Sequence, residues 1–181
     1  MNQFRYFGIL MILIFTGSLG YSCPGEPDPD LTNTLFVIER SRDSDYLVYM
    51  LNRDSKGIID ENTPIEVYWV KNTPNNTLEP LTRIQNRYGY GIQLINKMVF
   101  SDSEWYFQIV AFPDRSFVLK QDNEKNYRVY LHGSKGEIAV EKLFVNFSNN
   151  SFWNPEVSDI TLFGRESRSG AIYHEIITSE K

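Results

Sequence analysis

From Thr34 onward the chain is dominated by short apolar runs separated by polar turns, and most of the runs carry a period of two. Thr34–Glu39 and Tyr46–Leu51 are β-branched and aromatic segments on either side of the polar stretch Arg40–Asp45. In Ile65–Val70 the alternation is explicit, with Ile65, Val67 and Trp69 on one face and Glu66 and Tyr68 on the other. The period then changes. Leu78, Leu81, Ile84, Gln85 and Tyr88 fall at helical spacing, Pro80 suits a first helical turn and Gly89 suits a C-terminal cap, so this segment is predicted to be a short helix.

Strand character resumes at Gly91–Phe100 and Trp105–Phe112, and Pro113-Asp114-Arg115 is predicted to turn the chain into Ser116–Lys120. Tyr127–Leu131 and Glu137–Phe147 flank a glycine-containing turn at Gly133–Gly136. Val157–Arg165 and Ala171–Thr178 close the chain around Ser169-Gly170. About nine strands with short connections and one short helix predict a mainly β, single-domain fold, an antiparallel barrel or sandwich.

The N-terminus follows a different grammar. A polar start with one positive charge, Arg5, leads into the apolar run Tyr6–Phe15. Small residues follow at Thr16, Gly17, Ser18, Gly20 and Ser22, and then Cys23, the only cysteine. This is the pattern of a secretory signal peptide over residues 1–22, too short for a comfortable membrane span. A single cysteine excludes a disulfide scaffold. The position of Cys23 resembles the lipidation site of bacterial lipoproteins. Ser22 fits that pattern, while Gly20 stands where a branched apolar residue is usual and Leu19 lies one place further back. The following Pro24-Gly-Glu-Pro-Asp-Pro-Asp30 is an acidic proline-rich stretch that cannot pack a core. The expected organisation is therefore a leader (1–22), a lipidated cysteine and tether (23–33), and a globular domain (34–181).

Charge narrows the partners. The chain carries a net −5, and without its leader it loses only Arg5 and carries −6. With no basic run, nucleic acid is not an expected partner; the membrane is expected to be reached through the lipid.

Chemistry-bearing motifs are sparse. Asn52–Asp60 echoes a calcium loop, with oxygen ligands at Asn52, Asp54 and Asp60 and Gly57 sixth, but Lys56 and Thr63 occupy ligand positions. A hairpin loop explains the same residues, and no metal is expected. His132 ends a strand, and His174 alternates with Ile172 and Ile176 on a face expected to be buried; without partner ligands both read as structural. No nucleophile elbow or phosphate loop is present: Gly89-Tyr90-Gly91 is followed by a strand instead of a helix, and no cofactor is implied. The carboxylate pairs Glu137/Glu141 and Asp60/Glu61 are the material a glycosidase would use, given a separation of ~5–10 Å across a cleft. The most suggestive cluster is Arg83, Arg87, Tyr88 and Tyr90, with Gln85 and Asn86 between them, which at a barrel mouth would clamp an acidic or sugar-like ligand. Asn75, Asn146 and Asn149 begin glycosylation sequons that have meaning only in a glycosylating host.

Several segments taken in order resemble domain of unknown function family four-eight-three-three, a group of mostly bacterial exported proteins. They are Leu35-Phe-Val-Ile-Glu-Arg-Ser41, Val48-Tyr49 with Asn52-Arg53-Asp54, Pro64-Ile-Glu-Val-Tyr-Trp69, Ile84-Gln85 with Tyr88-Gly-Tyr-Gly91, Val110-Ala-Phe-Pro113, Phe152-Trp-Asn-Pro155 and Leu162-Phe-Gly-Arg165. The resemblance spans the folded domain and implies a single β-rich exported unit, with no activity, cofactor or catalytic residue to carry over. The Asn52–Asp60 loop departs from the more acidic loop of the family, with Met50 and Lys56 where acidic residues often fall.

Together these readings point to an exported, lipid-anchored envelope protein that binds a small molecule, a lipid or an envelope partner. The alternatives are a glycan or ester hydrolase using paired carboxylates and a structural envelope interaction module.

Overall fold

A computed structural model describes residues 31–73, 76–98, 104–149 and 156–178. Eleven strands form one curled sheet, a half-barrel. They are β1 (Thr34–Arg40), β2 (Tyr46–Leu51), β3 (Ile65–Val70), β4 (Leu78–Pro80), β5 (Ile92–Met98), β6 (Glu104–Ile109), β7 (Phe112–Gln121), β8 (Tyr127–Gly133), β9 (Gly136–Phe147), β10 (Val157–Glu166) and β11 (Ile172–Thr178). One helical turn, α1 (Arg83–Gln85), runs directly into a wider π-type turn at Asn86–Tyr90.

The longest strand, β9, is the branch point. One of its edges pairs with β10 along most of its length. Its other edge is shared: β8 pairs antiparallel with Gly136–Ala139, and β1 pairs parallel with Lys142–Val145. Two wings leave from there, β1-β2-β3-β4 and β8-β7-β6-β5, and a short third wing is formed by β10-β11. Only the β1–β9 pair is parallel, because both strands enter the shared region running the same way.

The wings are joined inside by aromatic rings. Phe36 of β1 stacks on Tyr49 of β2 at 4.3 Å and faces Phe117 of β7 at 6.2 Å. Phe117 in turn stacks on Phe107 of β6 at 5.4 Å. All four are fully buried, and each such pair contributes about 0.5–1.5 kcal/mol beyond the area it removes from water.

Three local expectations are corrected. Leu78–Pro80 is a strand paired with Tyr68–Val70 and not the start of a helix: β3 offers a free edge that satisfies the backbone of Leu78 before the chain can coil. Pro113–Arg115 does not reverse the chain. The reversal occurs at Val110-Ala111, whose amides donate to the carbonyls of Gly91 and Gly89, and Pro113–Ser116 form a wide bulge within β7. Between the pairs Ile109–Phe112 and Phe107–Phe117, β7 spends five residues where β6 spends two, which leaves Pro113 free of any need for an N–H. His174, with Ile172 and Ile176, lies on the exposed face of β11, while Tyr173 and Ile177 point to the core.

Candidate functional site

The wing β1–β4 and the wing β8–β5 do not close on each other: among the described residues β3 and β5 share no ladder. Between them lies a groove of about 350 Å³, lined on one side by Ile65, Glu66, Val67 and Tyr68 and on the other by Ile92 and Leu94. That volume is at the small end of the range for ligand pockets, about 300–1,000 Å³.

The groove exists because β4 is short. It covers only Tyr68–Val70, so the edge of β3 from Ile65 to Val67 is left unpaired. Parity then decides what faces the gap. The amide of Asn52 donates to the carbonyl of Pro64, so residues 64, 66 and 68 spend their backbone groups on β2, and those of Ile65 and Val67 point into the groove. On the opposite wall Val110 donates to Gly91, which commits Gly91 and Gln93 to β6 and turns the backbone of Ile92 and Leu94 toward the same gap. Two strand edges face one slot.

The end of the groove is built by the segment after β4. Thr82 caps α1: its hydroxyl accepts from the Gln85 amide at 3.3 Å, and the Gln85 side chain accepts from the Thr82 amide at 2.8 Å, which is why Gln85 is buried. The π-type turn that follows is pinned from inside by the Tyr49 hydroxyl, which donates to the Tyr90 carbonyl at 2.8 Å. Gly91 permits the turn to close. A Cβ there would lie 1.9 Å from the Asn86 carbonyl oxygen.

Among the described residues one carboxylate lines the groove, Glu66, and it accepts from the Tyr68 hydroxyl at 2.7 Å. That hydrogen bond, with burial and the negative charge behind it, pushes the Tyr68 phenol up to about 12. Asp45, Asp60, Asp122 and Glu175 are all held below the ordinary carboxylate range by the hydrogen bonds they accept, which outweigh what burial they have.

The four residues singled out by sequence divide in two. Arg83, Arg87 and Tyr88 are exposed on the turn whose Asn86 lines the groove. Neither arginine meets a carboxylate among the described residues, and the Arg87 guanidinium lies 5.2 Å from the centre of the Tyr88 ring. Tyr90 turns inward, edge-on to Trp69 at 5.4 Å, with its hydroxyl accepting from Arg40 Nη1 at 3.0 Å. Behind the groove, Arg40 is buried over Trp69, and Lys71 sits 5.5 Å from the centre of the same ring. Sequence reasoning missed Arg40, whose only signal was its place at the end of an apolar strand.

The remaining candidates are held in local structure. Asp54 Oδ1 accepts from the amides of Lys56 and Ile58, with Gly57 at φ +79°, and Asp60 accepts from the Asn62 and Thr63 amides. Asn52 donates to the Thr63 carbonyl. These are the hydrogen bonds of a hairpin loop. Glu137 pairs with Lys120 and Glu141 with Arg165. Among the described residues no group of three or more His, Cys, Asp or Glu is placed to hold a metal ion. No helix among them is long and apolar enough to cross a membrane. Residues 1–30, on which the expected leader, Cys23 and most of the expected tether fall, and Phe152–Pro155 lie outside the described residues.

The family model described as Domain of unknown function (DUF4833) matches residues 36–175. No curated protein and no solved structure matches the chain.

Proposed function

Starting from the fact that the chain belongs to the DUF4833 family, to which no activity is attached, we propose that it is an exported binding module, anchored through a lipid on Cys23, whose open seam receives an extended peptide segment of an envelope partner. The observation that carries this reading is the pair of facing strand edges, with the backbone groups of Ile65 and Val67 opposite those of Ile92 and Leu94. A strand entering the slot would satisfy both edges at once, which is the usual way a sheet recognises a peptide. Apolar side chains at Ile65, Val67, Ile92 and Leu94 would set the alternation of the peptide, and Arg83 and Arg87, which meet no carboxylate among the described residues, favour acidic residues where it leaves the groove.

Hydrolysis through paired carboxylates finds less support, since among the described residues Glu66 is the one carboxylate of the groove and its oxygen is engaged by Tyr68. Native mass spectrometry of the full chain, extracted from its host's own envelope, tests the reading against Leu94→Pro. Proline at that position removes an amide that faces the slot and contributes nothing to the β6 ladder. A bound mass of peptide composition, lost on denaturation and absent from the variant, is expected. A lipid mass, or an unliganded protein in both samples, would overturn it.

A further inference from the structure

Among the described residues the sheet ends at three outer strands, β4, β5 and β11, besides the short open stretch Ile65–Val67 of β3, and of the three only β11 is unguarded. At β4 the edge is three residues long and ends in Pro80. At β5 the ladder is broken by a register slip between Leu94 and Asn96. Short length, proline and bulges are the devices that keep sheet edges from associating. None of them protects β11, which is seven residues long, contains no proline or lysine, and pairs with β10 in unbroken register from Ile172–Arg165 to Thr178–Asp159.

This edge also carries the most exposed large apolar side chains of the described residues apart from Ile58, Ile172 at 80% and Ile176 at 62%. The Glu166 amide donates to the Ala171 carbonyl, so residues 171, 173, 175 and 177 spend their backbone groups on β10. Those of Ile172, His174 and Ile176 point outward, and among the described residues no hydrogen bond reaches them.

We propose that β11 pairs antiparallel with β11 of a second copy about a two-fold axis at His174. The sequence is self-complementary about that residue. Antiparallel pairing centred there sets Ile172 against the partner's Ile176 and His174 against the partner's His174, all as mutually bonded pairs that exchange two hydrogen bonds each. Any shift by one residue would oppose an outward amide to one already committed to β10. On the exposed face the isoleucines cover each other across the axis. On the inner face Tyr173 meets the partner's Glu175. On the exposed face the neighbouring charge of β10, Arg165 opposite Ile172, is already paired with Glu141 at 2.8 Å, so it brings no unpaired like charge to the axis. One strand pair is a small contact, well below the ~1,200 Å² of a stable interface, so the dimer is expected to dissociate on dilution.

The register provides the test. In the full chain with Cys23→Ser, a His174→Cys variant places two sulfurs on the axis, where opposed Cα atoms lie about 5.5 Å apart, within the reach of a disulfide. An Ile172→Cys variant in the same background places them four residues apart along the strands, roughly 13 Å, beyond that reach. Mild oxidation is expected to cross-link the first at least about tenfold faster than the second. Sedimentation of the uncross-linked protein should show a concentration-dependent dimer that Ile172→Lys abolishes. Both positions are exposed, so circular dichroism of the variants should match the parent. Equal cross-linking of the two cysteine variants, or a monomer at every concentration, would overturn the proposal.

Discussion

The guanidinium of Arg40 lies 4.4 Å from the centre of the Trp69 ring, in a pocket closed by Tyr90 on one side and opening toward Asp43 on the other. Burial opposes the charge, yet the negative potential and hydrogen bonds of Tyr90 and Asp43 hold the arginine above its ordinary pKa, so the cation is kept inside. A delocalised cation stacked on indole tolerates this better than an ammonium would.

Because Arg40 Nε finds no acceptor among the described residues, the Tyr90 hydroxyl is an acceptor the guanidinium cannot spare. Tyr90→Phe should lower stability by about 1–3 kcal/mol in urea denaturation. In an Arg40→Met background the same substitution should cost much less, since no buried donor is left wanting. Equal losses in the two backgrounds would show that the hydroxyl acts through other contacts.

Gly91→Ala should disturb the groove more than the core. The added methyl group would overlap the Asn86 carbonyl and side-chain oxygens, and backbone cannot swing aside as a flexible side chain can. The turn carrying Asn86 must move, with an expected loss of about 1–3 kcal/mol. A rise in amide exchange at Asn86–Tyr90 larger than any in the β7–β8 ladder would locate the effect.

Tyr68 makes a statement about alkaline stability. Its phenol is raised from 10 to about 12 by the bond to Glu66. A folded pKa above the unfolded one gives a contribution fully present below about 10 and lost as pH rises through 12. Tyr68→Phe should therefore flatten the fall in stability between those limits while leaving neutral pH nearly unchanged. An identical alkaline slope in the variant would mean that the hydrogen bond does not persist in solution.

Cys23→Ser tests the anchor independently of the groove. If the cysteine carries a lipid, the variant should move from the membrane fraction to the soluble one, because the acyl chains supply about 0.8 kcal/mol per buried methylene. Unchanged fractionation would remove the anchor and leave the groove's reading standing.

The strands were legible because β-branched and aromatic residues recur with period two, and every predicted strand has a counterpart. Parity was less so. In β11 both alternating sets contain apolar residues, Ile172 and Ile176 against Tyr173 and Ile177, so alternation alone could not say which set meets the core. The helix was overextended because Leu78, Leu81 and Ile84 satisfy helical spacing, while the competing free edge of β3 is a tertiary fact with no local trace. The same holds for the groove. Its walls come from residues nearly thirty positions apart, Ile65 and Ile92, and it depends on how short β4 is. Arg83, Arg87 and Tyr88 were found from sequence because charge and aromaticity are visible there; the inward turn of Tyr90 depends on Arg40, fifty residues earlier.

The parallel joint between β1 and β9 makes the order of assembly asymmetric. Each wing can zip from hairpin to hairpin using near neighbours, but Val37 meets Lys142 only across more than a hundred residues. Loop closure on that scale is slow, so the joint is the step that should limit how fast the domain folds. It also makes β9 a keystone: a fragment ending before Gly136 would hold two curled half-sheets and nothing to clasp them edge to edge.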